Sequence, residues 1–240
     1  MAFRKTLDAV AFAAQVAAIV FVMKSFAFAQ VYIPSESMVP TLEVGDRLIT
    51  DKTAYGWSRH SLLIDPHVSF PGKDGRLFGR LPARGDVVTF THPRTGETMI
   101  KRVIGLPGDR IALHDGRLVI NGETVQRDLK GEYAYRQFRG GSVTVRRYDE
   151  HLPGGTVHEI IERSDRGFAD DMPEVTVPAE HFFAMGDNRD NSADSRFSEL
   201  GFVPVENILG RARLITYSLH DCRPEPGLVC APRRYLSPIE

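Results

Sequence analysis

Residues 110 to 126 read RIALHDGRLVINGETVQ, three short apolar runs separated by Asp115-Gly116 and Asn121-Gly122. Both dipeptides tolerate positive φ at two successive residues, which two-residue hairpin turns require, so the stretch reads as a meander of three strands. Working outward, GDRLITDKT (45 to 53) and GDVVTFTHP (85 to 93) each begin at a Gly-Asp turn and run into β-branched residues. Further strands are expected at GSVTVRRYDE (141 to 150), TVHEIIER (156 to 163), HFFAMGD (181 to 187) and LGRARLITYSL (209 to 219). No polar stretch sustains a helical period. The fold class expected is therefore mainly β, an antiparallel sheet core with one or two short helices at most.

With 30 Lys+Arg against 31 Asp+Glu the formal charge is −1, which argues against nucleic acid as a partner. The membrane signal is local: LDAVAFAAQVAAIVFVMKSFAFA, residues 7 to 29, follows Arg4 and Lys5. As a helix, residues 9 to 29 would span roughly 30 Å, about the thickness of the hydrocarbon core. Arg4 and Lys5 would keep the N-terminus cytoplasmic, and Lys24 can snorkel at the far end. A cleavable secretory signal is the competing reading, because Ala27-Phe28-Ala29 has a small-x-small pattern. Either way residues 30 to 240 are exported.

The expected organisation is a cytoplasmic tail at 1 to 6, a transmembrane anchor at 7 to 29, and a core built from 30 to 112 plus 178 to 221. Residues 113 to 177, with the Arg-rich YRQFRGGSVTVRRY and the acidic FADDMPE, form an inserted β-rich lobe, and 222 to 240 a C-terminal tail. Residues 55 to 84, interrupted by Pro66, Pro71 and Pro82, read as a long surface loop or ribbon. Cys222 and Cys230 flank the turn-rich RPEPGLV. In an oxidising compartment a bridge between them would contribute roughly 2–3 kcal/mol; two free buried thiols are the alternative. Two cysteines do not make a zinc site, so no metal and no cofactor is expected.

The chemistry candidates centre on PSESMVPTL, residues 34 to 42, with hydroxyls at Ser35 and Ser37. A serine attacks only if a base takes its proton. The eight histidines are scattered, and none sits in a G-x-S-x-G or HExxH setting. A lysine serves only if burial strips its ammonium of water, a differential of roughly 3–4 kcal/mol. Lys101, in ETMIKRVIGLPGD, is flanked by Met99, Ile100, Val103 and Ile104, and by alternation shares a face with Met99 and Val103. On periodicity alone, a strand-edge lysine reaching for solvent is the stronger reading.

A resemblance reverses that preference. PSESMVPTL, RGDVVTF, IKRVIGLPGD and MGDNRDNSADSR, in that order after an apolar segment, closely resemble the successive motifs of the bacterial type I signal peptidases, the leader peptidases. The resemblance implies Ser37 as nucleophile and Lys101 as general base. It implies an oxyanion hole made by the Ser37 backbone N–H and the Ser35 hydroxyl, and Ser192 as the group that orients the lysine. It also implies structural ion pairs of Asp187 with Arg102 and of Asp194 with Arg196, holding the strand that bears Ser192. Two departures stand out: Glu36 places a charge between the serines, and FSELGF after Arg196 is longer than the link of many members.

The implied function is removal of N-terminal signal peptides after Ala-x-Ala sites, which needs shallow apolar pockets and an edge strand. Ile33, Pro34, Met38, Leu42, Met99 and Ile100 are the expected pocket residues. The implied partners are precursor proteins bearing signal peptides, the lipid bilayer and the export translocon. The expected location is the bacterial inner membrane, single-pass, with the catalytic part on the periplasmic face. Only eight residues separate Ala29 from Ser37, so the nucleophile must stay near the bilayer, which favours the anchor over the cleaved signal. The alternatives are a conjugation-pilus maturation peptidase of similar fold and a non-catalytic secreted β-domain that binds a partner.

Overall fold

A computed structural model describes residues 2–62, 65–72, 74–137, 140–219, 228 and 230–239. The N-terminal helix α1 (Ala2–Phe26) passes at once into β1 (Phe28–Tyr32), followed by β2 (Asp46–Asp51). The helix thus ends three residues before the expected limit at 29, because Phe28 to Tyr32 are drawn into the sheet against β2. The last carbonyls of a helix lack intrahelical donors. Here Lys52 Nζ donates to Lys24 O (2.7 Å) and Ser25 O (3.3 Å), and the Trp57 indole N–H to Phe26 O (2.6 Å).

A ribbon follows with β3 (Trp57–Ser58) and β4 (Arg76–Leu77), then β5 (Val87–Thr91) and β6 (Thr98–Gly105). The meander is β7 (Arg110–His114), β8 (Arg117–Ile120) and β9 (Glu123–Thr124). Its turns are as the sequence requires, with φ of 47° and 71° at Asp115 and Gly116 and of 54° and 85° at Asn121 and Gly122. Long strands β10 (Gln126–Arg136), β11 (Ser142–His151) and β12 (Val157–Glu162) come next, then β13 (Met172–Thr176), β14 (His181–Met185), β15 (Val203–Pro204), β16 (Ile208–Ser218) and β17 (Tyr235–Pro238). Besides α1, the helical elements among the described residues are three 3-10 turns, Arg59–Ser61, Arg189–Asn191 and Val205–Asn207.

The main sheet runs β1-β2-β16-β5-β6-β14-β15, with β17 on β16. A second sheet, β13-β7-β8-β9, begins at Arg110 and packs on the first: Ile111, Leu113, Leu118 and Ile120 share one cluster with Ile104, Phe183 and Met185. The third sheet, β10-β11-β12, packs Tyr135, Val145 and Ile161 against Val39. The meander's last strand is only two residues long, since the chain leaves at Gln126 to pair with β11 instead. The ribbon is fastened by Arg76. Its guanidinium is 1% exposed and donates to the carbonyls of Tyr55 (2.9 Å), Gly56 (2.6 Å), Val205 (3.1 Å), Glu206 (3.2 Å) and Ile208 (2.8 Å).

Candidate active site

Between β1 and β2 the chain forms a loop closed at its neck, where the Ile33 N–H donates to Asp46 O (3.0 Å) and the Gly45 N–H to Ile33 O (2.9 Å). Its apolar residues decide how it sits. Ile33, Met38 and Leu42 fill a core cluster with Leu48, Val87, Ile100, Ala212 and Ile215, while Val39 packs against Tyr135, Val145 and Ile161 of the third sheet. Ser37, between these two faces, is nearly closed off at 8% exposure. Ser35 is exposed, and its Oγ lies 3.5 Å from Ser37 Oγ.

Lys101 sits in β6, paired with Val88 of β5. Met99 and Val103 join one cluster and Ile100 another, so both faces of the strand are walled by apolar side chains. With 3% exposure the ammonium has lost its water, and burial pushes its pKa down to about 8 against the opposing pull of Asp194 and Asp187. Nζ and Ser37 Oγ are 2.5 Å apart. As the ammonium, Lys101 donates this hydrogen bond; as the neutral amine it can accept the serine proton.

The segment 186 to 196 closes the site from the end of β14. Arg102, the residue after the lysine, grips Asp187 with two bonds, Nε to Oδ1 (2.9 Å) and Nη2 to Oδ2 (2.8 Å). Burial alone would raise the Asp187 pKa, but the guanidinium outweighs it and holds the carboxyl below its ordinary value. Asp194 and Arg196 form a similar buried fork at 2.9 Å for each bond, and Asp194 Oδ2 also accepts from the Gly186 N–H (3.0 Å). Gly186 is a matter of space: a Cβ there would lie 2.2 Å from Ser192 Oγ and 2.4 Å from the Ser37 carbonyl oxygen. Ser192 Oγ and the Ser37 carbonyl thus crowd the same face of Gly186, which puts Ser192 at the border of the site.

Two sequence expectations change at Ser192. The residue follows the 3-10 turn Arg189–Asn191 in an irregular segment, where a strand was expected, because the two ion pairs and not a ladder shape this stretch. Its buried Oγ has no hydrogen-bond partner among the described residues, so the expected bond to Lys101 is not formed in this structure. Lys101 points its amine at Ser37 instead.

Glu36 turns away from the lysine. Its carboxylate accepts from Asn191 Nδ2 (2.6 Å), and its carbonyl from Asn188 Nδ2 (3.1 Å). Of the six expected pocket residues, Met38 and Leu42 have 0% exposure and Ile33 1%. They are core residues beneath the loop and offer no surface to a substrate. Pro34 and Met99 are accessible, and Ile100 borders them at 9%.

Sequence reasoning missed how the third sheet braces this loop. Tyr133 donates to Glu43 Oε1 (2.6 Å), and Asn188 Nδ2 donates to the Tyr135 hydroxyl (3.0 Å). Below Asp187 lies a buried charged layer: Arg189 Nη2 donates to Glu150 Oε2 (2.5 Å), and His158 Nε2 stands 3.5 Å from Glu150 and 3.8 Å from Asp187. Burial, then the neighbouring Arg102 charge, pushes His158 down to about 4, so it is neutral at physiological pH. Of these residues Asn188 and Arg189 lie within the MGDNRDN stretch, the one sequence signal that pointed here. Cys230 is disulfide-bonded; its expected partner Cys222 lies outside the described residues.

A family model described as signal peptidase, peptidase S26, matches residues 6–217. The chain belongs to the S26 signal peptidase family. It is 40% identical over 214 residues to signal peptidase I of Pseudomonas aeruginosa, a match covering 85% of this chain and 69% of that protein. To signal peptidase I of Pseudomonas fluorescens it is 41% identical over 220 residues, covering 88% and 70%. A crystal structure of a signal peptidase I from Enterococcus faecalis is 28% identical and covers 55% of this chain and 97% of that one, with a TM-score of 0.32. As an S26 family member the chain is a serine peptidase, which sets aside the non-catalytic binding domain.

Proposed function

We propose that this S26 family member is a membrane-anchored endopeptidase that removes signal peptides from exported precursors after Ala-x-Ala sites, with Ser37 as nucleophile and Lys101 as general base. The observation that carries the reading is the desolvated amine of Lys101, with a pKa near 8, held 2.5 Å from Ser37 Oγ. Neutral Lys101 takes the Ser37 proton as Oγ attacks the scissile carbonyl, and the resulting ammonium returns it to the leaving amine. The same amine then takes a proton from the water that hydrolyses the acyl-enzyme. The Ser35 hydroxyl and the Ser37 N–H supply the oxyanion donors, each contributing about 3–4 kcal/mol in well-studied proteases. Ser192, whose buried hydroxyl beside the site has no partner among the described residues, is the group available to steady the amine once Ser37 is acylated.

The substrate is held extended. β1 is an edge strand of the main sheet and leads directly into the Ser37 loop, so its free edge can add a peptide strand. Pro34, Met99 and Ile100 then line the shallow pocket. The helix supports the anchor: α1 is long and apolar enough to cross a bilayer, and its described side chains are almost all exposed. Ala29 lies inside β1, paired with Thr50, so its backbone is committed to the sheet, which favours the anchor over cleavage there. With Arg4 and Lys5 cytoplasmic, residues beyond Phe26 face the periplasm, close to precursors still in the inner membrane and to the export translocon.

The test is cleavage of a model Ala-x-Ala precursor in detergent by wild type, Ser37→Ala and Lys101→Met. Both variants are expected to lose cleavage, and intact activity in either would refute the dyad. A conjugation-pilus peptidase would spare the Ala-x-Ala precursor while keeping the same two residues essential.

A further inference from the structure

Asp46, at the neck of the Ser37 loop, is completely buried, and three groups converge on its carboxylate. The Glu43 N–H donates to Oδ2 (2.9 Å), the Ser218 hydroxyl to Oδ1 (2.5 Å), and Arg234 Nη2 to Oδ2. Arg234 comes from the C-terminal segment, which no part of the chemistry above employs. Its other terminal nitrogen, Nη1, donates to Thr41 O (2.7 Å). The Thr41 hydroxyl in turn accepts from Arg102 Nη2 (3.2 Å), the arginine that grips Asp187. Thr41 is thus held by its carbonyl from the C-terminal side and by its hydroxyl from the catalytic strand, four residues beyond Ser37.

The segment carrying Arg234 is itself tied down. Cys230 is disulfide-bonded, β17 pairs with β16 from Tyr235 opposite Tyr217 to Pro238 opposite Leu214, and the Arg234 N–H donates to Ser218 Oγ (3.2 Å). Beyond it, Ile239 packs against the cluster of Ile33, Met38 and Leu42 that seats the loop from within. The strap therefore meets the Ser37 loop twice, once by charge at its neck and once by apolar contact at its base.

We propose that this C-terminal strap positions the nucleophile loop, with Arg234 as a positioning residue for the peptidase reaction. The inference rests on the Ser37 and Lys101 reading. A planar guanidinium reaches Thr41 O through one terminal nitrogen and the Asp46 carboxylate through the other, a two-point fork that the single nitrogen of a lysine ammonium does not reproduce. A serine held 2.5 Å from its base tolerates little drift, so freeing Thr41 slows the acyl-transfer step more than it weakens substrate binding on β1 and at Pro34.

The experiment compares full-length wild type, Arg234→Met and Arg234→Lys in detergent, with kcat and KM for a model precursor measured separately. Arg234→Met is expected to lower kcat about tenfold while KM stays within about twofold, and Arg234→Lys to recover part of the loss. Hydrogen exchange on the same proteins reads the loop without reference to activity: amides of residues 33 to 46 should exchange faster in Arg234→Met, while those of β7 and β8 keep their rates. Wild-type kcat in Arg234→Met, or unchanged loop exchange, overturns the proposal. So does exchange accelerated equally in β7 and β8, which would mark a general loss of stability. Failure of the dyad reading shows separately, as cleavage by Ser37→Ala, and leaves the exchange result to decide the strap.

Discussion

Lys101→Met should make the protein more stable at neutral pH while removing its activity. The lysine is 3% exposed, and its pKa lies at about 8 against an ordinary 10.5. That gap corresponds to about 3 kcal/mol by which burial disfavours the ammonium relative to the unfolded chain. Methionine matches the stem and carries no charge, so the penalty disappears. The hydrogen bond to Ser37 goes with it, at about 1 kcal/mol, leaving a net gain of about 2 kcal/mol. Below pH 8 the folded wild type carries the proton at full cost. Between pH 8 and 10.5 the unfolded chain holds a proton that the folded one has released, so wild-type stability climbs with pH and the advantage of the variant shrinks. Urea unfolding of both proteins in the same detergent, followed by circular dichroism at pH 7 and at higher pH, measures the difference. A variant less stable than wild type at pH 7, or a difference that does not narrow as pH rises, would refute the claim that Lys101 is held against its solvation preference.

The same desolvation sets the pH–rate profile, because only neutral Lys101 can take the Ser37 proton: kcat/KM should rise about tenfold between pH 7 and pH 9 and then level. A limb near 10.5, the ordinary lysine value, would show that the free enzyme does not lower this pKa. Gly186→Ala tests the packing at the site. Its methyl would stand 2.2 Å from Ser192 Oγ and 2.4 Å from Ser37 O, so cleavage should fall on the order of a hundredfold, with a stability loss of about 1–3 kcal/mol in unfolding experiments. Wild-type rates in that variant would mean that the loop and Ser192 can part at no cost.

Residues whose structure follows from near neighbours were open to reading from the chain alone. Asp115-Gly116 and Asn121-Gly122 turn as primed hairpins because their backbone preferences are local, and the apolar run before Phe26 is helical for the same kind of reason. The family resemblance of the ordered motifs pointed to Ser37 and Lys101, whereas periodicity alone favoured a strand-edge lysine, and only the structure shows Lys101 buried. Ser192 shows the limit. Its motif placed it beside the site, but where its hydroxyl points depends on the fold of the segment between two ion pairs. Pocket assignment failed at Met38 and Leu42 for a related cause, since being near Ser37 in sequence says nothing about which face of the loop is covered by Leu48 and Ile215.

By itself, then, the sequence determined the β class and the apolar helix, which rest on periodicity and turn chemistry within a few positions, while the family resemblance of its motifs pointed to Ser37 and Lys101 as the proposed nucleophile and base. Tertiary structure alone decided that Glu36 bonds Asn191, that Tyr133 and Tyr135 brace the loop from the third sheet, and that Arg234 closes on Thr41 and Asp46. Those contacts join residues about 50 to 190 positions apart. The energy that selects them comes from burying charged and polar groups together, and it exists only once the sheets have brought them within reach.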